Sequence, residues 1–380
     1  MSITFVYTIS VLNSLGVFAT QVVVSLYALQ LGAGPLTIGL IAGSFSLFPM
    51  LLAVVSGRLV DRFGARWPMT FGIIGGGLGV LVPWAAPGLP ALYVAGLLTG
   101  LSVIFINLAT QNLVGLLSTP DNRARYFANY TLTMSAGQLL GPLLAGLSVD
   151  HLGHSGALLT LVAISLTQMT LMALRGSALP GGTRKSGKAA GGIRAMLADP
   201  LVRRMLVTGC LLNAGINLYQ VYMPVYGHAI GLTATTIGIV LAMNSAAAFV
   251  ARVALPHVIR RFGERRILVC AFAAGAAGLA LIPLFRDPLL LALVSFCFGL
   301  GMGGGQPIVL MMMFSNSKDG RSGETLGLKF TTNQFTKLTS PVLFGGIAAV
   351  LGLFAMFWIN AALMVAGALL SRPPRRKPPS

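Results

Sequence analysis

The sequence predicts an all-α membrane protein of twelve transmembrane helices, arranged as two six-helix pseudo-repeats. Three observations predict it. Of the 380 residues, 55% are hydrophobic and only 9% charged, a balance foreign to soluble globules of this size. Apolar runs of about 20 residues, the length that crosses hydrocarbon as a helix, follow one another with short Gly, Pro or charged punctuation. Finally, landmarks of the first half return in the second at a constant shift of 199 residues.

Taken in order, the runs place spans at 4–30, 36–60, 68–87, 90–117, 124–149 and 155–175, then at 204–228, 233–256, 266–285, 288–314, 323–350 and 352–371. The first lacks a basic leader and a small-residue cleavage site, so it reads as a span and not as a removable signal. Between the sixth and seventh lies the one long polar stretch, rich in Gly and cations, which reads as a linker. The expected organisation is therefore a six-helix bundle over 1–175, a cytoplasmic linker over 176–203, a second bundle over 204–371 and a basic cytoplasmic tail over 372–380.

The net charge of +18 would suggest nucleic acid in a soluble protein, but here the cations punctuate apolar runs and no aromatic-basic groove is visible. With the N-terminus in the cytoplasm, the cytoplasmic connections collect all but four of the 26 Lys+Arg. Arg286 falls outside, and Arg252, Lys329 and Lys337 fall within spans. That asymmetry follows the positive-inside rule, with both termini cytoplasmic. Compact loops suggest a bacterial cytoplasmic (inner) membrane, and a monomer is expected. Cys210, Cys270 and Cys297 sit in separate apolar runs without CxxC spacing or His neighbours, so neither a disulfide framework nor a metal site is expected. No nucleophile-base pair, metal cluster or phosphate loop points to an enzyme or a cofactor.

At the 199-residue shift Gly16 pairs with Gly215, Gln21 with Gln220, Tyr27 with Tyr226, Gly32 with Gly231, Gly100 with Gly299, Pro142 with Pro341 and Gly146 with Gly345. Thr37-Ile38-Gly39 returns as Thr236-Ile237-Gly238, and Arg62-Phe63-Gly64 as Arg261-Phe262-Gly263. The chain is a tandem duplication. Because each copy holds an even number of spans, both start on the same membrane face, which is the layout of rocking transporters with a site between parallel halves.

The segment GRLVDRFGAR, Gly57 to Arg66, matches the pattern G-x-L-x-D-R-x-G-x-R. PHVIRRFGER, Pro256 to Arg265, is its degenerate second copy, with Arg260 in the acidic position. On these motifs and the repeat, the chain resembles the major facilitator superfamily over essentially its full length. The resemblance implies that Asp61 meets the start of the eleventh helix and latches the halves on the cytoplasmic side, with Arg62 and Arg66 beside it and with Gly57 and Gly64 permitting close approach and a tight turn. In the fifth span, Gly137, Gly141 and Pro142 combine small-xxx-small spacing with a helix-bending proline, a partial match to the motif of proton-coupled efflux members; plain packing with a kink reads equally well. The glycine run Gly299 to Pro307 follows no strand and is expected to serve packing or hinging.

Polar residues inside spans tend to face the interior. Asn213, Asn217 and Gln220 form one helical stripe, Asn107 and Gln111 another, and Asn13 and Gln21 lie eight apart. Together with Asn244, Gln306, Asn333 and Gln334 they are candidates to line a substrate cavity; singly, each could serve as an interhelical hydrogen bond. All eight acidic residues sit at connections or helix ends, which argues against proton-coupled export of cations. Lys337 lies roughly 22 Å along the eleventh span and Arg252 roughly 12 Å above Arg260. The pair resembles the cations with which organic-anion members of the superfamily hold carboxylates. The expected function is secondary transport of small organic solutes by rocker-switch alternating access, with an organic anion as the substrate that the cations favour. The alternatives are a proton-coupled multidrug or metabolite efflux permease of the same superfamily and a non-transporting receptor or scaffold.

Overall fold

The computed structural model describes residues 3–119, 123–176, 179, 200–315 and 322–371. The body of the expected linker and the basic tail lie outside the described residues. The first half contributes α1 (Ile3–Gln30), α2 (Pro35–Phe63), α3 (Arg66–Ala85) and α4 (Leu89–Leu117), followed by one long helix, Arg123–Arg175. That helix bends at Gly153 (φ 69°, ψ 178°) into α5 (123–152) and α6 (154–175). The second half contributes α7 (Pro200–Ala229), α8 (Ala234–Phe262), α9 (Glu264–Leu281) and α10, which runs as Pro288–Gly303 and then Gly305–Ser315. A last long helix, Ser322–Ser371, bends at Gly352 (φ 86°, ψ 165°) into α11 (322–351) and α12 (353–371).

Nine of these helices are long and apolar enough to cross a membrane among the described residues. The two bent ones supply two spans apiece, and α7, diluted by Asn213, Asn217 and Gln220, completes the twelve. The spans agree with the sequence reading to within a few residues. Two differences have physical causes. Where loops were expected at residues 150–154 and 351, a single glycine in left-handed geometry turns the chain while helical hydrogen bonding continues on both sides. And α8 continues through Pro256 to Phe262, because an interior proline removes only one ladder bond, which neighbouring groups in a bundle can make good.

The duplication is written in the backbone as well as in the residues. The left-handed glycines Gly32, Gly64 and Gly153 (φ 78°, 75° and 69°) reappear as Gly231, Gly263 and Gly352 (φ 83°, 78° and 86°), each at the 199-residue shift. The first pair closes the same turn twice: Ala33 N–H reaches the Ala28 carbonyl, and Leu232 N–H reaches that of Gly227. A side chain at any of these six positions would be forced into a conformation that costs L-residues roughly 1–2 kcal/mol.

By contacts the chain divides into two compact units that cut across the sequence halves. One comprises 1–188 with 220–242 and 337–350; the other comprises 189–219, 243–336 and 351–380. In the first, α1 packs along the α5/α6 helix and α3 along α4. A dry cluster of Phe5, Val6, Ile9, Met69, Leu113 and Met172 fills one end. In the second, Tyr219 stacks on Phe298 at 4.8 Å between centroids. There the glycine run of α10 permits close packing: a Cβ on Gly299 would strike the Asn244 carbonyl of α8, one on Gly303 the backbone of Ala248, and one on Gly301 the side chain of Ala274 in α9.

Candidate functional site

Two motifs that recur in the sequence turn out to be each other's contacts. A Cβ on Gly39 would collide with the Pro341 carbonyl, and a Cβ on Gly238 with the Pro142 carbonyl. The glycine of the Thr-Ile-Gly triplet in each copy therefore sits on the helix-bending proline of the other copy. This reciprocal pairing, α2 on α11 and α8 on α5, is a seam inside the first compact unit. Glycines extend it: Gly43 against the Leu338 carbonyl, Gly146 against Ala234 and Gly345 against the Pro35 carbonyl. Backbone approach of this kind is how helices associate in lipid, where burial of apolar surface offers no drive.

Each arm of the seam carries a different polar fastening. On the α2/α11 arm the Tyr222 hydroxyl lies 2.6 Å from the Pro341 carbonyl oxygen and 3.3 Å from that of Pro35, donating to one at a time. Tyr222 answers to Val23 in the first copy, so this fastening exists once. On the α5/α8 arm the Asp150 carboxylate accepts the backbone N–H of Ala234 at 3.0 Å and of Thr235 at 2.7 Å. It caps the N-terminus of α8, where the macrodipole favours a negative charge. Burial works against its charge, but the hydrogen bonds from Thr235 and Ala234 outweigh it and hold the carboxyl below the usual carboxylate range. Next along the chain, His154 stacks on Tyr27 at 5.2 Å. Burial pushes its imidazole below the ordinary value, and nearby His228 pushes it further.

Asp150 is absent from the residues singled out by sequence. It looked like one more acid at a helix end, since a cap between distant helices leaves no spacing signature. The available signal was that it stands at the α5 terminus whose equivalent in the second copy, Ala349, is apolar.

The embedded cations are held differently. Arg252 is half-buried, and its Nε donates to the Gly303 carbonyl at 3.4 Å. Lys329 Nζ donates to the Gln306 carbonyl at 3.4 Å. Gly303 ends the first segment of α10, and Pro307, four residues on, has no N–H to offer, so the Gly303 carbonyl is left for Arg252; Gln306 lies in the first turn of the second segment. Lys337 stands in mid-span of α11 and is classed as an exposed residue. At 100° per residue its flanking positions are Asn333, Gln334, Ser340 and Pro341, the polar face of the helix. Exposed apolar Phe335 and Leu343 lie on the far side. The exposure of Lys337 therefore belongs to the polar face and not to the apolar one.

The polar stripes are partly committed to structure. Asn213 Nδ2 donates to the Asn333 carbonyl at 2.9 Å, and Gln306 Nε2 to that of Gly209 at 3.3 Å. Gln111 is exposed with its amide 3.5 Å from the Tyr130 hydroxyl, and Asn107 keeps a buried Oδ1 without a partner among the described residues. Gln21, Asn217 and Gln220 are half-buried, while Asn13, Asn244 and Gln334 are buried. Asn13 accepts from Ser102 Oγ at 3.3 Å.

At the opposite end from the seam, Gly64 makes its turn at φ 75°, while Gly57 has no neighbour within 4 Å of a built Cβ among the described residues. The Arg62 and Arg66 guanidinium groups lie 5.1 Å and 6.0 Å from the Phe63 and Trp67 ring centroids. The Asp61 side chain lies outside the described residues. Gly137 and Gly141 bring α5 against α1: a Cβ on the first would strike Ser14, and on the second the Ala19 N–H at 3.0 Å.

Comparison with known proteins matches the chain to the family described as Major Facilitator Superfamily, over residues 6–336 and 227–380. Among curated relatives, Multidrug resistance protein 2 of Bacillus subtilis (strain 168) is 22% identical, covering 87% of this chain and 84% of its own. Multidrug resistance protein MdtG of Klebsiella pneumoniae (strain 342) is 23% identical over 90% and 84%. Among solved structures, the nucleoside transporter NupG superposes with a TM-score of 0.78 at 14% identity over 98% of both chains. The peptide transporter POT in complex with sulfate gives 0.80 at 13% over 97% and 93%.

Proposed function

Because the chain belongs to the major facilitator superfamily and is thus a membrane-embedded secondary transporter of a small molecule, we propose that its substrate is an organic anion, carried by alternating access with Lys337 as the ligand. The single observation that carries this reading is the position of Lys337, a cation in mid-span on the polar face of α11. A mid-span cation is costly unless it meets water or a partner, and a carboxylate or sulfonate arriving there forms a charge-assisted hydrogen bond. Arg252, tied to α10 through Gly303, is a second embedded cation and the other candidate for an anion contact.

The positive-inside count supports cytoplasmic termini in a bacterial inner membrane, and hence a seam on the outer side. A fastened outer seam is one of the two states that alternating access requires. One chain holding both six-helix copies supports a monomer.

The names of the curated relatives favour a second reading, export of chemically diverse drugs. Flux through Lys337→Gln in proteoliposomes separates the two. Loss of carboxylate flux supports the anion reading, whereas unchanged flux of carboxylates together with export of cationic dyes overturns it.

A further inference from the structure

The second compact unit holds a pocket with polar lining at a place where the first copy has a cluster of buried apolar residues. It is open to the surface, with ≈ 400 Å³ of empty space that includes open solvent, and is lined by Arg204, Thr208, Arg265 and Ser371 above an apolar floor that includes Leu268 and Met312. Arg204 stands near the start of α7, Arg265 in the first turn of α9 and Ser371 at the end of α12, so three helix ends bring the polar groups together. The Arg204 guanidinium is fixed by donating Nε and Nη2 to the Leu370 carbonyl, two of the five N–H donors that such a group carries. The hydroxyl hydrogens of Thr208 and Ser371 go to their own helices, at Arg204 O and Gly367 O. Attraction for an anion therefore rests on the two guanidinium groups.

The internal repeat acts as a control on whether the fold needs this pocket. Shifted by 199 residues, Arg204, Thr208, Leu268, Met312 and Ser371 become Phe5, Ile9, Met69, Leu113 and Met172. All five belong to the closed apolar cluster of the first copy, where Ile9 is 0% exposed. Of the four polar lining residues only Arg265 keeps its kind, as Arg66; Leu268 and Met312 stay apolar, and Val309 runs the other way, answering to Thr110. The same place in the same fold is dry and filled in one copy; in the other, three apolar residues are exchanged for Arg, Thr and Ser and a cavity opens.

We propose that this pocket binds the phosphate headgroup of an anionic phospholipid. A phosphate suits two guanidinium groups, and a basic pocket between helix ends at the cation-rich side of a bundle is where such headgroups sit. The floor of Met and Leu side chains gains nothing from a free ion but packs against glycerol and acyl carbons. Val207, Leu369 and Leu370 beside it are exposed and apolar, so the pocket borders the surface that hydrocarbon covers.

The test is thermal unfolding of the delipidated, purified protein with added phosphatidylglycerol, with phosphatidylcholine of the same chains, and with inorganic phosphate. Phosphatidylglycerol is expected to raise the midpoint by roughly 2–4 °C, the other two not. The shift should vanish in Arg265→Gln and in the double variant T208I/S371M, which copies the packing of the first copy and leaves every cation in place. An equal shift with phosphatidylcholine overturns the proposal, as does a full phosphatidylglycerol shift in both variants. An equal shift with inorganic phosphate assigns the pocket to a free anion and overturns the lipid.

Discussion

The Asp150 carboxylate accepts the Thr235 N–H at 2.7 Å, joining the end of α5 to the start of α8 across 85 residues of sequence. Around it, glycines of one copy rest on proline carbonyls of the other, so a helix-end charge and two close backbone crossings hold the same seam. A seam fastened by a few short polar contacts can open, which distinguishes it from a core sealed by apolar burial.

Removing the cap should loosen the α5/α8 arm. Asp150→Ala is expected to cost about 1 kcal/mol of stability, the ordinary worth of an N-cap, and Asp150→Asn less, since an amide oxygen still accepts. Unfolding midpoints of the two variants check this; a destabilisation equal in both would mean that charge and not hydrogen bonding is lost.

Acid should weaken the same region in two stages. Both His154 and Asp150 have values depressed in the folded protein, so the unfolded chain binds more protons and stability falls as pH falls. The His154 contribution is complete above the ordinary 6.5 and is lost below it; that of Asp150 is complete above the ordinary 3.8 and is lost below that. Midpoints measured from pH 8 to 4 should decline below about 6.5 in the wild type and less in His154→Gln.

Gly238→Val places a branched side chain against the Pro142 carbonyl, and Gly39→Val does the same at Pro341. Overpacking should cost about 1–3 kcal/mol and, because the seam cannot close, should abolish flux while leaving the protein in the membrane. Gly57→Val, with no neighbour within 4 Å among the described residues, should be far milder in stability.

Tyr222→Phe deletes the hydroxyl near both Pro341 and Pro35. A loss of about 1 kcal/mol in stability is expected for the bond, with the α2/α11 arm opening more readily. Faster alkylation of a cysteine placed at Gly346 would report it.

Lys337→Gln should reduce carboxylate transport by roughly 10- to 100-fold, the range that a hydrogen bond to a charged group implies, with protein abundance unchanged. Lys337→Arg should restore part of it, because the charge remains.

The spans and the duplication were legible in the sequence, because hydrophobic run length and a fixed 199-residue shift are local or additive signals. Which landmarks touch was not legible. Gly39 and Pro341 repeat for a reason that only the fold displays, namely that each is the partner of the other's copy. The polar stripes were visible, but Asn213 and Gln306 proved to bond backbone carbonyls of neighbouring helices, and periodicity alone cannot distinguish such a bond from a cavity wall. Arg252 looked like Lys337 in sequence; the Gly304 interruption that gives Arg252 its acceptor is a property of α10 and not of α8. The basic pocket could have been found by asking where the two copies differ in polarity instead of where they agree.

The central claim is that the α5/α8 seam opens and closes in every transport cycle. Cysteines at positions 150 and 235, in a protein whose Cys210, Cys270 and Cys297 are replaced by serine, would bridge it when oxidised. In proteoliposomes the oxidised form should stop carrying substrate, and reduction should restore the flux. Undiminished flux through fully cross-linked protein would contradict the account.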